Sequence, residues 1–181
     1  TMPRSGSMNA GNQITDTRRA AVTFLNAIDV TRDRVAVVAF NNQAELRQPL
    51  TADRALAIAA VQGLTAVGGT NLAQALQAST AELFGANGRS DSQPVIVLLT
   101  DGRDREPDDA LHAASSARDR GTRVFTIGFG DVDPMVMVLA ASSPEDHYYA
   151  PDTSRLEAIY TEIAQRITAS VLARSVTVVD E

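Results

Sequence analysis

The sequence predicts an α/β domain: a doubly wound, Rossmann-like, mainly parallel sheet with helices on both faces and one antiparallel edge strand. Three short continuous apolar runs carry that prediction: Val35 to Phe40, Val95 to Leu99 and Val124 to Phe129. They are rich in β-branched residues and do not alternate with polar ones, the pattern of strands covered on both faces. The stretches between them have helical periodicity. A length of 181 residues with 44% hydrophobic content suits one domain with a well-buried core.

Taken in order, Ile14, Thr17, Ala21, Phe24 and Ile28 form the stripe of a first amphipathic helix. Ala44 to Leu50, with Pro49 near its end, reads as an edge strand, because proline is tolerated where one side of a strand is unpaired. A second stripe runs through Leu72, Ala75, Leu76, Ser79 and Leu83, with Gly85 as a stop. An Ala-rich helix is expected from about Asp108 to Arg120, ended by Gly121. A shorter helix lies near Asp133 to Ala141, and His147 to Ala150 reads as a strand. The last clear helix is expected to start at Ser154-Arg155-Leu156-Glu157, which fits a capping box, with Leu156, Ile159, Ile163 and Ile167 on its apolar face.

One strand is missing from this pattern. A loop such as Arg4-Ser5-Gly6-Ser7 normally follows a buried central strand, yet only Thr1-Met2-Pro3 precedes it, short of the usual ~5–6 residues. Val176 to Asp180, after the last helix, reads as a strand. The expected organisation is therefore one domain over residues 1–174 and a C-terminal strand, 175–181, that either completes the sheet or starts a following segment.

Composition narrows the function classes. A formal net charge of -6 argues against a nucleic-acid role, which needs a basic surface. All basic residues apart from histidine are Arg, so a Walker phosphate loop and Schiff-base chemistry are excluded. The absence of Cys excludes disulfides, thiol catalysis and Cys-ligated zinc. No stretch reaches the ~18–20 apolar residues of a membrane span, and the first residues contain no apolar signal core.

Ligands of doubly wound sheets bind at the carboxyl ends of the strands. The polar residues expected there are Ser5 and Ser7 before the first helix, Thr70 in Gly68-Gly69-Thr70-Asn71, and Asp101 in Thr100-Asp101-Gly102. Three hydroxyls and a carboxylate suit a hard divalent cation, Mg²⁺, Mn²⁺ or Ca²⁺. With few carboxylates the ion keeps excess positive charge, so an external acidic group can complete its shell. Asn41, Asn42, Arg103 and Asp104 border the same rim and are candidates for partner contact.

Together Ser5-Gly6-Ser7-Met8, Gly68-Gly69-Thr70-Asn71-Leu72 and Leu99-Thr100-Asp101-Gly102 resemble the three loops of a von Willebrand factor type A domain. The resemblance extends from Arg4 to about Ile167 and includes Ile127-Gly128-Phe129-Gly130. It implies a metal-ion-dependent adhesion site at Ser5, Ser7 and Thr70, with Asp101 nearby and often acting through water. It further implies a non-catalytic protein-binding module whose partner offers an Asp or Glu, with no membrane contact of its own. Bacterial members of secreted or cell-surface proteins are the expected setting.

The sequence departs from the family at one position. The family motif is D-x-S-x-S, and Pro3 stands where the aspartate belongs. A C-terminal strand entering the centre of the sheet would bring Asp180 beside Ser5 as a replacement carboxylate. The other readings are a metal-free scaffold that lost the site through Pro3, and a metal-dependent hydrolase. The hydrolase lacks a G-x-S-x-G elbow and any histidine arranged with Ser5. His112 and His147 read as surface or packing residues.

Overall fold

The computed structural model describes residues 1–9 and 11–177. Its strands are β1 (Met2–Pro3), β2 (Val35–Phe40), β3 (Ala44–Thr51), β4 (Val95–Gly102), β5 (Arg123–Asp131) and β6 (His147–Ala150). Its helices are α1 (Gln13–Ala27), α2 (Arg54–Gln62), α3 (Leu72–Leu83), α4 (Pro107–Asp119), α5 (Pro134–Ala140) and α6 (Leu156–Thr177). β1 pairs in parallel with β2, β2 antiparallel with β3, and β4, β5 and β6 pair in parallel. Thr1 joins the two halves: its N donates to Val97 O at 2.8 Å and its O accepts from Leu99 N at 3.2 Å. The strand order is therefore β3-β2-β1-β4-β5-β6, with β3 as the antiparallel edge.

Residues 1–3 thus hold the central position that the sequence left empty. The expected C-terminal strand is not formed in the described residues: Val176 and Thr177 belong to α6. Asp180 lies outside the described residues.

Alternating side chains of the buried strands feed two layers. On one face, Ile96, Leu98 and Val124 pack with Leu72, Leu76, Ala110, Ala114 and Met137 from α3, α4 and α5. On the other, Leu99, Phe125, Ile127 and Phe129 meet Ala20 of α1 and Leu156, Ile159 and Ile163 of α6. Met2, Val37 and Ala39 continue that second face under α1 and α2, against Leu25, Ala57 and Val61.

Two local details differ from expectation. α2 is an additional helix, started by Asp53, whose side chain accepts from Ala55 N and Leu56 N. The entry to α6 is capped by Asp152 rather than Ser154: its carboxylate accepts from Ser154 N at 2.8 Å and a single 3₁₀ turn, Thr153–Arg155, leads into the helix. Glu157, the expected reciprocal partner of Ser154, instead bonds Arg19 of α1.

Candidate metal centre on the sheet rim

β1 delivers the chain to the carboxyl-end rim, where Arg4 N donates to Phe40 O at 2.8 Å and closes the pairing with β2. The chain then turns through a 3₁₀ segment, Gly6–Asn9, into α1. Met8 is fully buried among Leu99, Phe125 and Phe129 and pins that turn from below. Ser5 is consequently held inward, 3% exposed, and its Oγ donates to Asp101 Oδ1 at 2.6 Å. Ser7 Oγ, on the solvent side, donates to Ser5 Oγ at 3.0 Å.

Asp101 sits near the end of β4 and is 5% exposed. Its second oxygen, Oδ2, is buried with no hydrogen-bond partner. A desolvated carboxylate oxygen without a donor is costly, and such groups in native folds call for a functional reason. Thr70 is buried against the following residue of β4: a Cβ added at Gly102 would lie 3.2 Å from Thr70 Oγ1. α3 is capped by Asn71, whose Oδ1 accepts from Gln74 N at 2.9 Å. The Thr70 hydroxyl is therefore not used as a cap.

The serine loop and the Thr70 loop are tied into one plate. Gly6 N donates to Gly68 O at 2.8 Å, and Val67 N to Arg4 O at 2.6 Å. Asn41 and Asn42, expected on the partner-facing rim, clasp this plate: Asn41 Nδ2 donates to Val67 O at 2.9 Å and Asn42 Oδ1 accepts from Gly69 N at 3.0 Å. Gly68 has φ +89°, and a Cβ there would come within 3.0 Å of the Asn41 amide. Glycine is therefore required by both conformation and space.

Arg103 and Asp104 are also engaged. Arg103 Nε donates to Asp131 at 3.0 Å in an exposed pair. Asp104 Oδ2 accepts from Leu72 N at 3.1 Å, so it caps α3 from 32 residues away. The sequence held no local signal for that role. Arg105, the next residue, lays its guanidinium over Gly69, with Nη2 3.0 Å from where a Cβ would stand.

The structure thus joins Ser5, Ser7 and Asp101 in one hydrogen-bonded chain and brings Thr70 against the end of β4. Among the described residues there is no cluster of three or more His, Cys, Asp or Glu. The donors that fit a cation here are hydroxyls and a single carboxylate, the oxygen set of a hard ion. The histidines stand apart from this chain. His147 Nδ1 lies 2.9 Å from Thr126 Oγ1, and burial pushes its pKa below the usual value. His112 is exposed on α4.

A six-stranded doubly wound sheet with this hydroxyl and carboxylate rim defines a class, and comparison with known proteins agrees. The family model of the von Willebrand factor type A domain matches residues 4–162. The chain belongs to that family. Among curated proteins, human matrilin-1 is 36% identical over 86 residues, 44% of this chain and 17% of matrilin-1. The magnesium-chelatase 67 kDa subunit of Heliobacterium mobile is 35% identical over 106 residues, 58% of this chain and 16% of that subunit. The chain thus spans less than a fifth of the length of these relatives.

Among solved structures, proximal thread matrix protein 1 of the mussel byssus, with a zinc-occupied MIDAS motif, superposes with a TM-score of 0.79 at 24% identity, covering 90% of this chain and 43% of that one. The pilus adhesin SpaC of Lactobacillus rhamnosus GG gives a TM-score of 0.77 at 18% identity, covering 92% of this chain and 30% of that one.

Proposed function

We propose that this domain is a non-catalytic protein-interaction module that engages an acidic group of its partner through a divalent cation on the rim. The observation that carries the reading is the buried, partnerless Oδ2 of Asp101 beside the Ser5 and Ser7 hydroxyls. Ser5, Ser7 and Thr70 would hold the ion, with Asp101 directly or through water. Mg²⁺ is the first candidate, with Mn²⁺ and Ca²⁺ as alternatives. A bound ion supplies positive charge that an Asp or Glu of a protein partner can neutralise. The chain's own residues do the positioning: Met8 anchors the serine turn, the Asn41–Asn42 pair fixes the Thr70 loop, and β4 fixes Asp101.

The Ser5 hydroxyl donates to Asp101 and not to a histidine, which gives no activated nucleophile. Relatives named as matrix protein and pilus adhesin support an adhesive role and a secreted or surface setting within a larger protein. Residues 1–174 form the interaction domain in this reading. No helix among the described residues is long and apolar enough to cross a membrane.

Calorimetric titration with Mg²⁺ and Mn²⁺ tests the proposal. Saturable binding is expected for the native chain and none for Asp101→Asn combined with Thr70→Ala. Indistinguishable null titrations for both, with and without an acidic peptide, would leave the metal-free scaffold as the better reading.

A further inference from the structure

We infer that the pole of the sheet away from the rim carries a second site, a pocket that binds a tetrahedral oxyanion, phosphate or sulfate. It shares no residue with the cation site proposed above and stands or falls independently of it.

The pocket is open and holds about 380 Å³ between the end of α4, the start of β5 and the chain after α5. Its wall is rich in donors without acceptors. Arg118 Nη1 donates to the carbonyls of Leu139, Ala140 and Ala141, and its Nε and Nη2 bond nothing among the described residues. Arg123 donates to Asp146 from Nε and Nη2, which leaves Nη1 uncommitted. Ser142 Oγ accepts from Val124 N at 2.8 Å, so its own proton is still to be given. Thr122 is 3% exposed, and its Oγ1 is buried with no hydrogen-bond partner.

Asp146 is the acid of this wall, and it is already shared. Its Oδ1 accepts from Arg123 Nη2 at 2.8 Å and from Arg166 Nη2 at 2.7 Å, and its Oδ2 from Arg123 Nε at 3.1 Å. The pocket therefore keeps a positive charge, although the chain as a whole carries -6.

Unused donors and positive charge together specify an anion, held by charge-assisted hydrogen bonds. A buried hydroxyl without a partner is costly, and a ligand oxygen supplies the acceptor it lacks. The donors stand on three separate segments and reach the ligand from different sides. A carboxylate offers its oxygens in one plane, whereas phosphate and sulfate have an oxygen for each wall. Guanidinium groups match that geometry through their forked N–H groups.

Calorimetric titration in metal-free buffer at fixed ionic strength tests the site with inorganic phosphate, sulfate, phenyl phosphate and acetate. Saturable binding of phosphate and sulfate is expected, with acetate weaker by about tenfold or more. Amide signals of Thr122, Arg123 and Ser142 should shift with phosphate, and those of Ser5, Ser7 and Asp101 should not. Thr122→Val keeps the side chain's shape and removes a hydroxyl that has no partner. It should match the native urea midpoint yet bind phosphate about tenfold more weakly. Asp101→Asn combined with Thr70→Ala should bind phosphate as the native chain does. Phenyl phosphate equal to the free anion assigns the pocket to the head group of an ester, and a weaker fit assigns it to the free anion. Either result upholds the oxyanion site. No saturation with phosphate or sulfate overturns it, as do equal affinity for acetate, shifts at the rim alone, or unchanged affinity in Thr122→Val. The native-chain arms decide the matter should that variant not fold.

Discussion

Asp101 has two oxygens in unlike surroundings: Oδ1 receives the Ser5 hydroxyl, whereas Oδ2 is buried and receives nothing. The proposed site rests on that asymmetry, and the residues around it were half legible in the sequence. Ser5, Ser7, Thr70 and Asp101 could be singled out because hydroxyls and a carboxylate recur at strand ends. The residues that brace them could not, because their contacts are remote: Asn41 meets Val67, Asn42 meets Gly69 and Asp104 meets Leu72 across 26, 27 and 32 residues. Asparagines after a strand look the same whether they face a partner or clasp a loop. Gly68→Ala tests this bracing, since it imposes a side chain at φ +89° and crowds Asn41. A loss of about 1–2 kcal/mol in urea unfolding is expected, together with weaker Mn²⁺ binding. An unchanged midpoint would show that the loop has another low-energy path.

The elements with strong patterns appear where they were expected, β2 over the same residues and α3 with the same apolar stripe. Those missed have physical reasons. Met2–Pro3 shows no hydrophobic run, and the place of β1 is seen only in its pairing with β2 and in the hydrogen bonds of Thr1 to Val97 and Leu99. The short, Ala-rich α2 shows little contrast between its faces, although Asp53 was a readable cap. At the pole of the sheet away from the rim, Asp146 accepts from Arg123 Nη2 at 2.8 Å and Arg166 Nη2 at 2.7 Å, tying β5, the turn before β6 and α6 together. Asp146 is almost wholly buried, while both arginines keep some solvent contact. Asp146→Ala is expected to cost about 2–4 kcal/mol, somewhat discounted from a fully buried pair, without changing ion affinity. A loss below half a kcal/mol would show that solvent already screens the triad.

His147 gives the β5–β6 edge a pH dependence. Burial holds its folded pKa below the ordinary value, so the unfolded chain binds the proton more readily. The histidine's contribution is complete above its unfolded pKa, about 6.5, and is lost as pH falls from there through the folded value. Between pH 7.5 and 5 the native chain should lose more stability in urea than His147→Gln. Parallel curves would refute the assignment.

For the molecule as a whole, any ligand of the rim must act on global stability, because it binds the folded state alone. At a hundredfold excess over its dissociation constant, a divalent ion alone should add about 2.7 kcal/mol. For a chain of this size that corresponds to a rise in Tm of roughly 5–10 °C. Thermal melts with Mn²⁺ measure it, and the rise should vanish in Asp101→Asn combined with Thr70→Ala.

The pairing of β1 with β4 has a consequence for the order in which the molecule assembles. Thr1 reaches Val97, and Ser5 reaches Asp101, each across 96 residues of sequence. Loop closures of that length come late and slowly in folding. Residues 1–5 must therefore wait for β4 before the sheet has a middle, and the serine–carboxylate pair forms in that same closure. A half-built sheet lacks the Ser5–Asp101 contact, so in the proposed reading a partly folded chain would offer a partner nothing to bind.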